Sequence, residues 1–348
     1  MKLNARKYNK EIQEFQSVIL NPTLSDKMKP LFYDYFKTIV TTKDGSRNYF
    51  LQQAAIFDLL EAKEKDILNI GCGFGLGLIC FALLGCRKAY GIDISGEMTE
   101  GFRTLLREFP QLNIKAEKGD FLLTDYSSSS YDVVILQEAI SHIRDTSLLL
   151  DKIQHILRPG GILYISDGNN DLFLLSRIQS RREWKRAEHG PIREHMARHG
   201  REVDKLCFFE ARISILHQLC PSLDDKTLKL IARKTQGMYG EQITKAAEEF
   251  MTTGKICQKA SFPYRNPYTG EFPELGFNPL KLTKDLQGRG FRCRFTAPPW
   301  AYAGVPPGTP YAKVFIARVL SPILRKFPSI LPPFVTPSFH IVAIKDLV

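Results

Sequence analysis

A glycine-rich run and a single acid downstream of it are the residues of this chain best suited to bind a ligand. The run, NIGCGFGLG, extends from Asn69 to Gly77 between a predicted strand and a predicted helix. Glycine lets the backbone turn sharply and approach a ligand closely, and the helix N-terminus offers unpaired amide donors. Asp93 lies 22 residues after Gly71 at the end of a second predicted strand, where a carboxylate can accept both hydroxyl groups of a ribose. The spacing favours a ligand that contains a ribose.

The dinucleotide fingerprint GxGxxG does not fit this run. Counted from Gly71, the third glycine would fall on Leu76, and counted from Gly73 it would fall on Leu78. A nicotinamide or flavin cofactor therefore loses its best support. A nucleotide-dependent oxidoreductase nevertheless stays open as a hypothesis. A nicotinamide cofactor that stays bound to the protein through purification would favour it.

Alternating strands and helices position these residues. Short apolar runs, the first of which ends in Gly71, predict buried strands, and the segments between them predict helices. Strands are predicted at 66–71, 89–94, 112–116, 131–136, 161–166, 291–297 and 339–344. Helices are predicted at 76–84, 97–109, 148–157 and 279–288. This alternation predicts an α/β fold with a doubly wound, seven-stranded, mostly parallel sheet.

The chain divides into four predicted segments. Residues 1–65 form a helical N-terminal segment, and residues 66–168 form the strand–helix core. Residues 169–278 are polar, charged and helix-forming, which predicts a helical insertion after the fifth strand. Residues 279–348 return to the core with the last two strands and an amphipathic segment.

Composition and charge exclude several classes of protein. With 44% hydrophobic and 24% charged residues the chain is globular. No stretch approaches the roughly 20 apolar residues of a membrane span, and no secretory signal is apparent. The seven cysteines are scattered, which argues against disulfides and a zinc site. The net charge of +11 is concentrated in residues 177–205 and 289–348. Such a local excess of positive charge attracts anionic partners, and the alternative is that these residues only form solvated helix faces. We expect a cytoplasmic protein.

Five successive motifs resemble those of class I S-adenosylmethionine-dependent methyltransferases. They are DILNIGCGFG, YGIDIS, EKGDF, YDVVILQEAISHIRD and LRPGGILYISD, and the resemblance covers about residues 50–168. It implies a methyltransferase of class EC 2.1.1.- that uses S-adenosyl-L-methionine and releases S-adenosyl-L-homocysteine. Asn69 stands where the family usually has an acid, which weakens one expected contact to the amino group of the methionine.

The resemblance also implies a cofactor-binding set, carried over position by position. Its members are Gly71, Cys72, Gly73, Gly75, Asp93, Ile94, Met98, Asp120, Phe121 and Gln137. The first four line the methionine half, and Asp93 holds the ribose hydroxyls. Ile94 and Met98 flank the adenine, and Asp120 with Phe121 beside it meets the exocyclic amine. Plain core packing is the alternative for the three apolar side chains.

Candidate catalytic residues follow the fourth and fifth strands. Gln137 and Glu138 are implied to face the sulfonium end of the cofactor. Glu138 and His142 lie one helical turn apart on the side where an acceptor enters, and Asp167 ends the fifth strand close to the same edge. A hydroxyl acceptor benefits from a base, and we favour His142 for this role, with Asp167 second. The alternative is that His142 only packs or caps.

Two specialised branches of the same family are not matched. O-methyltransferases of the ubiquinone pathway place Glu-x-x-Glu-His here and can use a metal, but this chain has Ser141 before His142, so no metal is predicted. Enzymes that methylate bases carry an (Asp/Asn)-Pro-Pro-aromatic motif after the fourth strand. Here that position reads Leu136, Gln137, Glu138, so nucleic acid is not the expected partner.

The insertion and the C-terminal segment bear on the acceptor. The insertion is expected to be an acceptor lid with a basic stretch at 181–201 and a pocket wall formed by Tyr264, Tyr268 and Phe272. Residues 311–327 predict a basic amphipathic helix, which we expect to pack on the sheet, with peripheral membrane contact as the alternative.

Together these features predict methyl transfer to a small-molecule or lipid-linked acceptor. O-methylation of an anionic sugar or natural-product intermediate suits the basic segments. N- or C-methylation of a small metabolite stays open, as does a protein that binds the cofactor without catalysis.

Overall fold

The computed structural model describes residues 3–28, 30–168, 170–190, 206–260, 263–268, 270 and 275–347. The chain divides into two compact units, the first formed by Met1–Leu174 with Phe277–Val348 and the second by Leu175–Gly276. Phe272 and residues 191–201 of the basic stretch 181–201 lie outside the described residues.

The first unit contains one seven-stranded sheet. Its strands are β1 (Asp66–Ile70), β2 (Lys88–Asp93), β3 (Ile114–Lys118), β4 (Tyr131–Gln137), β5 (Leu157–Asp167), β6 (Phe291–Phe295) and β7 (Phe339–Lys345). They lie in the order β3-β2-β1-β4-β5-β7-β6. All neighbours are parallel except β7, which runs antiparallel to both β5 and β6. The predicted doubly wound, mostly parallel α/β sheet is confirmed.

Helices surround the sheet and fill the inserted unit. In chain order they are α1 (Asn9–Ile19), α2 (Pro22–Lys27), α3 (Pro30–Thr41), α4 (Lys43–Leu59), α5 (Leu76–Leu83), α6 (Gly96–Leu106), α7 (Thr146–Ile156), α8 (Leu174–His189), α9 (Phe208–Leu219), α10 (Asp225–Lys234), α11 (Glu241–Thr253), α12 (Pro279–Gln287), α13 (Trp300–Ala303), α14 (Tyr311–Lys326) and α15 (Pro332–Val335). Short 3₁₀ helices lie at Ala5–Tyr8 and Ile140–His142.

Successive residues of each central strand enter opposite cores, because side chains of a strand alternate between its two faces. Ile67 of β1 belongs to a core shared with helices α1, α4 and α5, whereas Leu68 belongs to a core shared with α7 and α12. In β4, Val133 and Val134 divide in the same way. Strands buried on both faces explain the near-continuous apolar runs in the sequence.

The fifth strand differs from its predicted bounds. Residues 161–166 were expected after a turn, but β5 begins at Leu157. Tyr131 pairs with Leu157 and Val133 with Ile162, so the Arg158–Gly161 stretch forms an irregularity within the strand pairing. Gly160 adopts a φ of 73° there, a conformation that favours glycine. The turn chemistry was recognised correctly, but it bulges the strand and does not precede it.

The second unit has a core of its own. Apolar residues from α9, α10 and α11, among them Leu216, Ile231 and Ile243, form one buried cluster. Arg212 of α9 forms a buried ion pair with Glu188 of α8 and donates a hydrogen bond from Nε to the carbonyl of Ala232. A buried guanidinium requires such a partner, and these bonds tie α8 to the rest of this unit.

The sheet brings the predicted site residues of the first unit to one edge. Parallel strands β1, β2, β3, β4 and β5 all end there, and the strand order reverses between β1 and β4. Ligands of doubly wound sheets bind in the crevice at such a reversal point. The residues just after β1 and β4 therefore occupy the expected position for a cofactor.

Candidate functional site

The glycine loop follows β1 and has a backbone conformation that residues other than glycine rarely adopt. Gly71, Gly73 and Gly75 have φ values of 70°, 53° and 68°, which L-residues disfavour. A Cβ atom on Gly71 would lie 2.6 Å from the Cβ of Ala139. The loop therefore lies directly against the segment that follows β4, and glycine makes this approach possible.

Asp93 fastens this loop to the end of β2. Its carboxylate is buried and accepts hydrogen bonds of 2.8 Å from the amides of Gly73 and Ser95, one at each oxygen. The amides of Gly71 and Cys72 donate to the carbonyl of Ile92, at 2.9 and 3.2 Å. A carboxylate offers about four lone-pair positions, so Asp93 retains capacity to accept ribose hydroxyls. Its role with a ribose stays a prediction.

Cys72 is a packing residue of the loop. Its side chain is buried, and its Sγ lies 2.8 Å from the position that a Cβ on Gly91 would take. Burial raises the pKa of its thiol, and the nearby charge of Asp93 raises it further. The thiol therefore stays protonated and is not a nucleophile at neutral pH.

The three apolar residues implied to flank the adenine lie in different environments. Ile94, directly after β2, is 71% exposed. Met98 of α6 is half-buried, and its sulfur lies 3.7 Å from the position of a Cβ on Gly73. Phe121 is buried in the core, and its ring centroid lies 5.2 Å from that of Tyr126. Core packing accounts for Phe121, whereas Ile94 offers a free apolar surface to a ring.

Asp120 organises the turn after β3. Its Oδ1 accepts a hydrogen bond of 2.8 Å from the amide of Leu122, and its carbonyl accepts from the amides of Leu123 and Thr124. The carboxylate is half-buried. This bonding holds Asp120 at the same edge as Asp93, where the prediction that it meets the adenine amine stays untested.

The residues after β4 adopt an irregular conformation. Glu138 has a φ of 50°, which is costly for a residue other than glycine and is concentrated at functional sites. Its amide donates to the carbonyl of Ser166 at 2.8 Å, and its Oε2 accepts from the amide of Gly168 at 3.0 Å. Bonds to the end of β5 thus hold the exposed Glu138 in place.

His142 and Asp167 have different surroundings. Glu138 and His142 do not share a helical turn as expected, because the 3₁₀ helix begins only at Ile140. His142 ends that helix and is exposed. Asp167 is fully buried, and its Oδ2 accepts a hydrogen bond of 3.2 Å from the amide of Ser141. Asp167 therefore fixes the segment that carries His142, and an exposed base fits His142 better.

Two buried amides that are not in the predicted cofactor-binding set lie in or beside the glycine-rich run. Asn69 Oδ1 at the end of β1 and Gln53 Oε1 of α4 have no hydrogen-bond partner among the described residues. Gln53 Oε1 lies 3.2 Å, and Gln137 Oε1 3.7 Å, from the position of a Cβ on Gly77 in the first turn of α5. Buried polar atoms without partners are rare, so these amides fit the charged amino-acid end of the expected cofactor.

The pattern of α4 holds the signal for Gln53. This side chain is buried between the apolar positions Phe50, Ala54 and Phe57 of the same helix. A buried glutamine on an apolar face is an exception that invites a functional explanation. The sequence alone did not show which element it would face.

Replacing Gln53 by methionine should separate stability from ligand binding. The substitution removes a buried amide oxygen without a partner and keeps the volume, so the free energy of unfolding should stay the same or rise. Affinity for S-adenosylmethionine should fall about tenfold, because about 1.4 kcal/mol of hydrogen bonding to a charged group is lost. Chemical denaturation and calorimetry measure the two effects.

Gln52→Met is the matched control for this prediction. The amide of Gln52 donates to Asn48 Oδ1 at 2.8 Å and to the carbonyl of Gly304 at 3.2 Å. Its loss should lower stability by about 1 kcal/mol and leave cofactor affinity unchanged. The same affinity loss in both variants would contradict a specific role for Gln53.

This chain is similar to a protein family and to proteins of known activity. Residues 61–219 match a family model described as a methyltransferase domain. A ubiquinone biosynthesis O-methyltransferase of Chelativorans sp. (strain BNC1) is 30% identical over 107 residues, which cover 30% of this chain and 41% of that protein. Phosphoethanolamine N-methyltransferase 2 of Caenorhabditis elegans is 32% identical over 102 residues, which cover 29% of this chain and 23% of that protein. The chain thus spans less than half the length of either relative.

A solved structure is similar over a longer stretch. A putative S-adenosylmethionine dependent methyltransferase from Listeria monocytogenes is 15% identical, with a TM-score of 0.43. The similarity covers 85% of this chain and 99% of that one.

Proposed function

We propose that this protein methylates an oxygen atom of an anionic small-molecule or lipid-linked acceptor. The premise is that residues 61–219 belong to the class I S-adenosylmethionine-dependent methyltransferases. S-adenosylmethionine, the cofactor of this family, supplies a methyl group on an electrophilic sulfonium. The chain must therefore hold the acceptor in line with that methyl group, exclude water, and accept a proton where the acceptor is a hydroxyl.

The observation that carries this proposal is the contact between the glycine loop and the segment after β4. A Cβ on Gly71 would meet Ala139 at 2.6 Å, and the exposed His142 follows three residues after Ala139. A base placed there lies beside the cofactor edge and open to an acceptor. His142 is the residue that we assign to receive the hydroxyl proton.

The buried Asp167 supports this assignment indirectly. It binds the amide of Ser141, the residue before His142, and Glu138 is bonded to Gly168 after β5. These two bonds connect the ends of β4 and β5. They restrict the backbone that carries His142, and restricted geometry is what a positioned base requires.

The negative charge of the acceptor is inferred from α8. Arg177, Arg181, Arg182 and Lys185 of this helix are all exposed. Guanidinium groups bind phosphate and carboxylate in a bidentate geometry. We assign the acceptor-binding role to residues 169–278 on this basis, with the ring pair Trp184 and Tyr264, 5.7 Å apart, as a local apolar surface.

The test of this proposal uses labelled cofactor and unfractionated acceptors. Aqueous and organic extracts of the source cells are incubated with the protein and methyl-labelled S-adenosylmethionine, and labelled products are identified by mass spectrometry. We expect a labelled methyl ether or ester. A labelled amine would support N-methylation instead, the activity for which the C. elegans relative is named. Binding of the cofactor without any labelled product would support a non-catalytic protein.

His142→Ala tests the assigned base. The rate of transfer should fall about a hundredfold, a typical contribution of a positioned base, while affinity for the cofactor stays unchanged. The control is His155→Ala, which changes another exposed histidine on α7 and should leave the rate unaltered. Full activity of His142→Ala would place the base elsewhere.

A further inference from the structure

Helix α14, in the C-terminal segment, exposes most of its apolar side chains. Sequence analysis favoured packing on the sheet, but this expectation is wrong for one whole side of the helix. The apolar face consists of Tyr311, Phe315, Ile316, Val319, Ile323 and Phe327, whose side chains are between 42% and 84% exposed. Ile330 and Phe334, which follow the helix, are exposed as well. Apolar surface of this extent marks an interaction site.

The opposite side of α14 explains how the helix is held. Leu324 is buried in a small cluster with Ala297 and Ala301, and Leu320 packs against that cluster. Arg325 donates a hydrogen bond of 2.7 Å from Nη1 to the carbonyl of Ala301. The helix is thus held by Leu320, Leu324 and the bond from Arg325, whereas the residues of the apolar face remain exposed.

The charged residues of the segment that contains this face are of one sign. Residues 286–345 contain eight Lys or Arg and no Asp or Glu. Lys313, Arg318 and Lys326 of α14 are exposed. A second copy of the same face would bring these positive charges together, which opposes a symmetric dimer through this surface. An anionic surface is complementary to it.

We propose that the apolar face of α14 inserts into the interface of an anionic lipid bilayer. Basic amphipathic helices lie in the plane of such an interface, with apolar side chains in the acyl boundary and basic side chains at the phosphates. Among the described residues, none of the helices has the length and apolar content of a membrane span. A helix of 16 residues is about 24 Å long, shorter than the roughly 30 Å hydrocarbon core of a bilayer, so this mode of binding places α14 in the plane of the interface.

This surface is connected to the cofactor site. Asn48 and Gln52 of α4 donate hydrogen bonds to the carbonyl of Gly304, which directly follows α13. The next residue of α4, Gln53, is the buried amide beside the first turn of α5. Docking through α14 thus holds the unit that binds the cofactor at the membrane, independently of the chemistry at the acceptor.

Vesicle flotation of the full chain tests the proposal. Vesicles of phosphatidylcholine with one quarter phosphatidylglycerol should carry the protein to the top of the gradient, and pure phosphatidylcholine vesicles should carry much less. Phe315→Glu should weaken binding at least tenfold, because an apolar insertion is replaced by a charge. Leu123→Glu is the control, because it also replaces an exposed apolar residue by a charge: Leu123 is 83% exposed and lies outside this face.

Charge neutralisation separates the two contributions. Each basic residue near an anionic surface contributes about a fivefold factor in affinity. The triple variant Lys313→Gln, Arg318→Gln, Lys326→Gln should therefore bind anionic vesicles about a hundredfold less well and neutral vesicles equally.

Two results would overturn the proposal. One is protein that stays with the soluble fraction at low salt. The other is an oligomer in size-exclusion chromatography that Phe315→Glu, but not Leu123→Glu, converts to a monomer, since a protein partner would then cover the face.

Discussion

Asp93→Asn should weaken the binding of S-adenosylmethionine about a hundredfold. In the wild-type chain the two oxygens of Asp93 accept from the amides of Gly73 and Ser95 and retain lone pairs for the ribose hydroxyls. Asparagine replaces one oxygen by an amino group that only donates. One hydrogen bond to the ribose is lost and the other loses its charge assistance. Together these changes cost about 3 kcal/mol, which corresponds to roughly two powers of ten in Kd.

The same substitution has a measurable effect without the ligand. An amino group facing either amide donor leaves that amide unpaired, so apo stability should fall by about 1–3 kcal/mol. Calorimetry gives the affinity, and denaturation with and without cofactor shows how much of the change concerns the ligand. Asp125→Asn, which alters an exposed acid beyond β3, should change neither quantity. Unchanged affinity in Asp93→Asn would remove Asp93 from the ribose.

The fold was predictable because its signals are local. Each buried strand is an apolar run, and parallel strands joined by helices permit few topologies. The glycine loop and Asp93 were predictable for the same reason, since each follows a strand end directly. Once β1 and β2 are neighbours, as Asp66 paired with Lys88 shows, the residues after them must share one edge.

The remaining site residues depend on packing between distant segments. Gln53 meets the first turn of α5 only because α4 packs on α5, and no pattern within residues 43–59 specifies that contact. Glu138, with its positive φ, is bonded to Ser166 of β5 and to Gly168, which follows that strand. Glutamate otherwise avoids this conformation, so the sequence predicted a regular helical turn.

The apolar face of α14 shows a second kind of limit. Periodicity identifies which side of a helix is apolar, and this was correct for Phe315, Val319 and Ile323. Periodicity does not show what covers that side. Packing on the sheet was the expectation because apolar faces of most helices are buried in their own domain. The small contact of Leu324 with Ala301 of α13 could not be foreseen.

Gly75→Ala should destabilise the protein by about 3 kcal/mol and reduce cofactor binding. Gly75 precedes α5 with a φ of 68°, and a Cβ there would lie 2.1 Å from the ring of the fully buried Phe102. The left-handed conformation costs about 1 kcal/mol for alanine, and overpacking a core adds roughly 1–3 kcal/mol. Either the ring or the start of α5 must move. Movement of α5 displaces the amides that the cofactor is expected to bind.

Gly308→Ala isolates the conformational part of this effect. Gly308 has a φ of 79°, and no atom lies within 4 Å of the position of its Cβ, so alanine should cost only about 1 kcal/mol there. Chemical denaturation of both variants gives the difference, which measures the contact with Phe102. The double variant Gly75→Ala, Phe102→Leu should recover part of that difference, because the ring that obstructs the new methyl group is gone. Equal destabilisation by the two single variants would mean that the loop tolerates a side chain at Gly75, and the close approach of α6 to the glycine loop would then have no role in shaping the cofactor site.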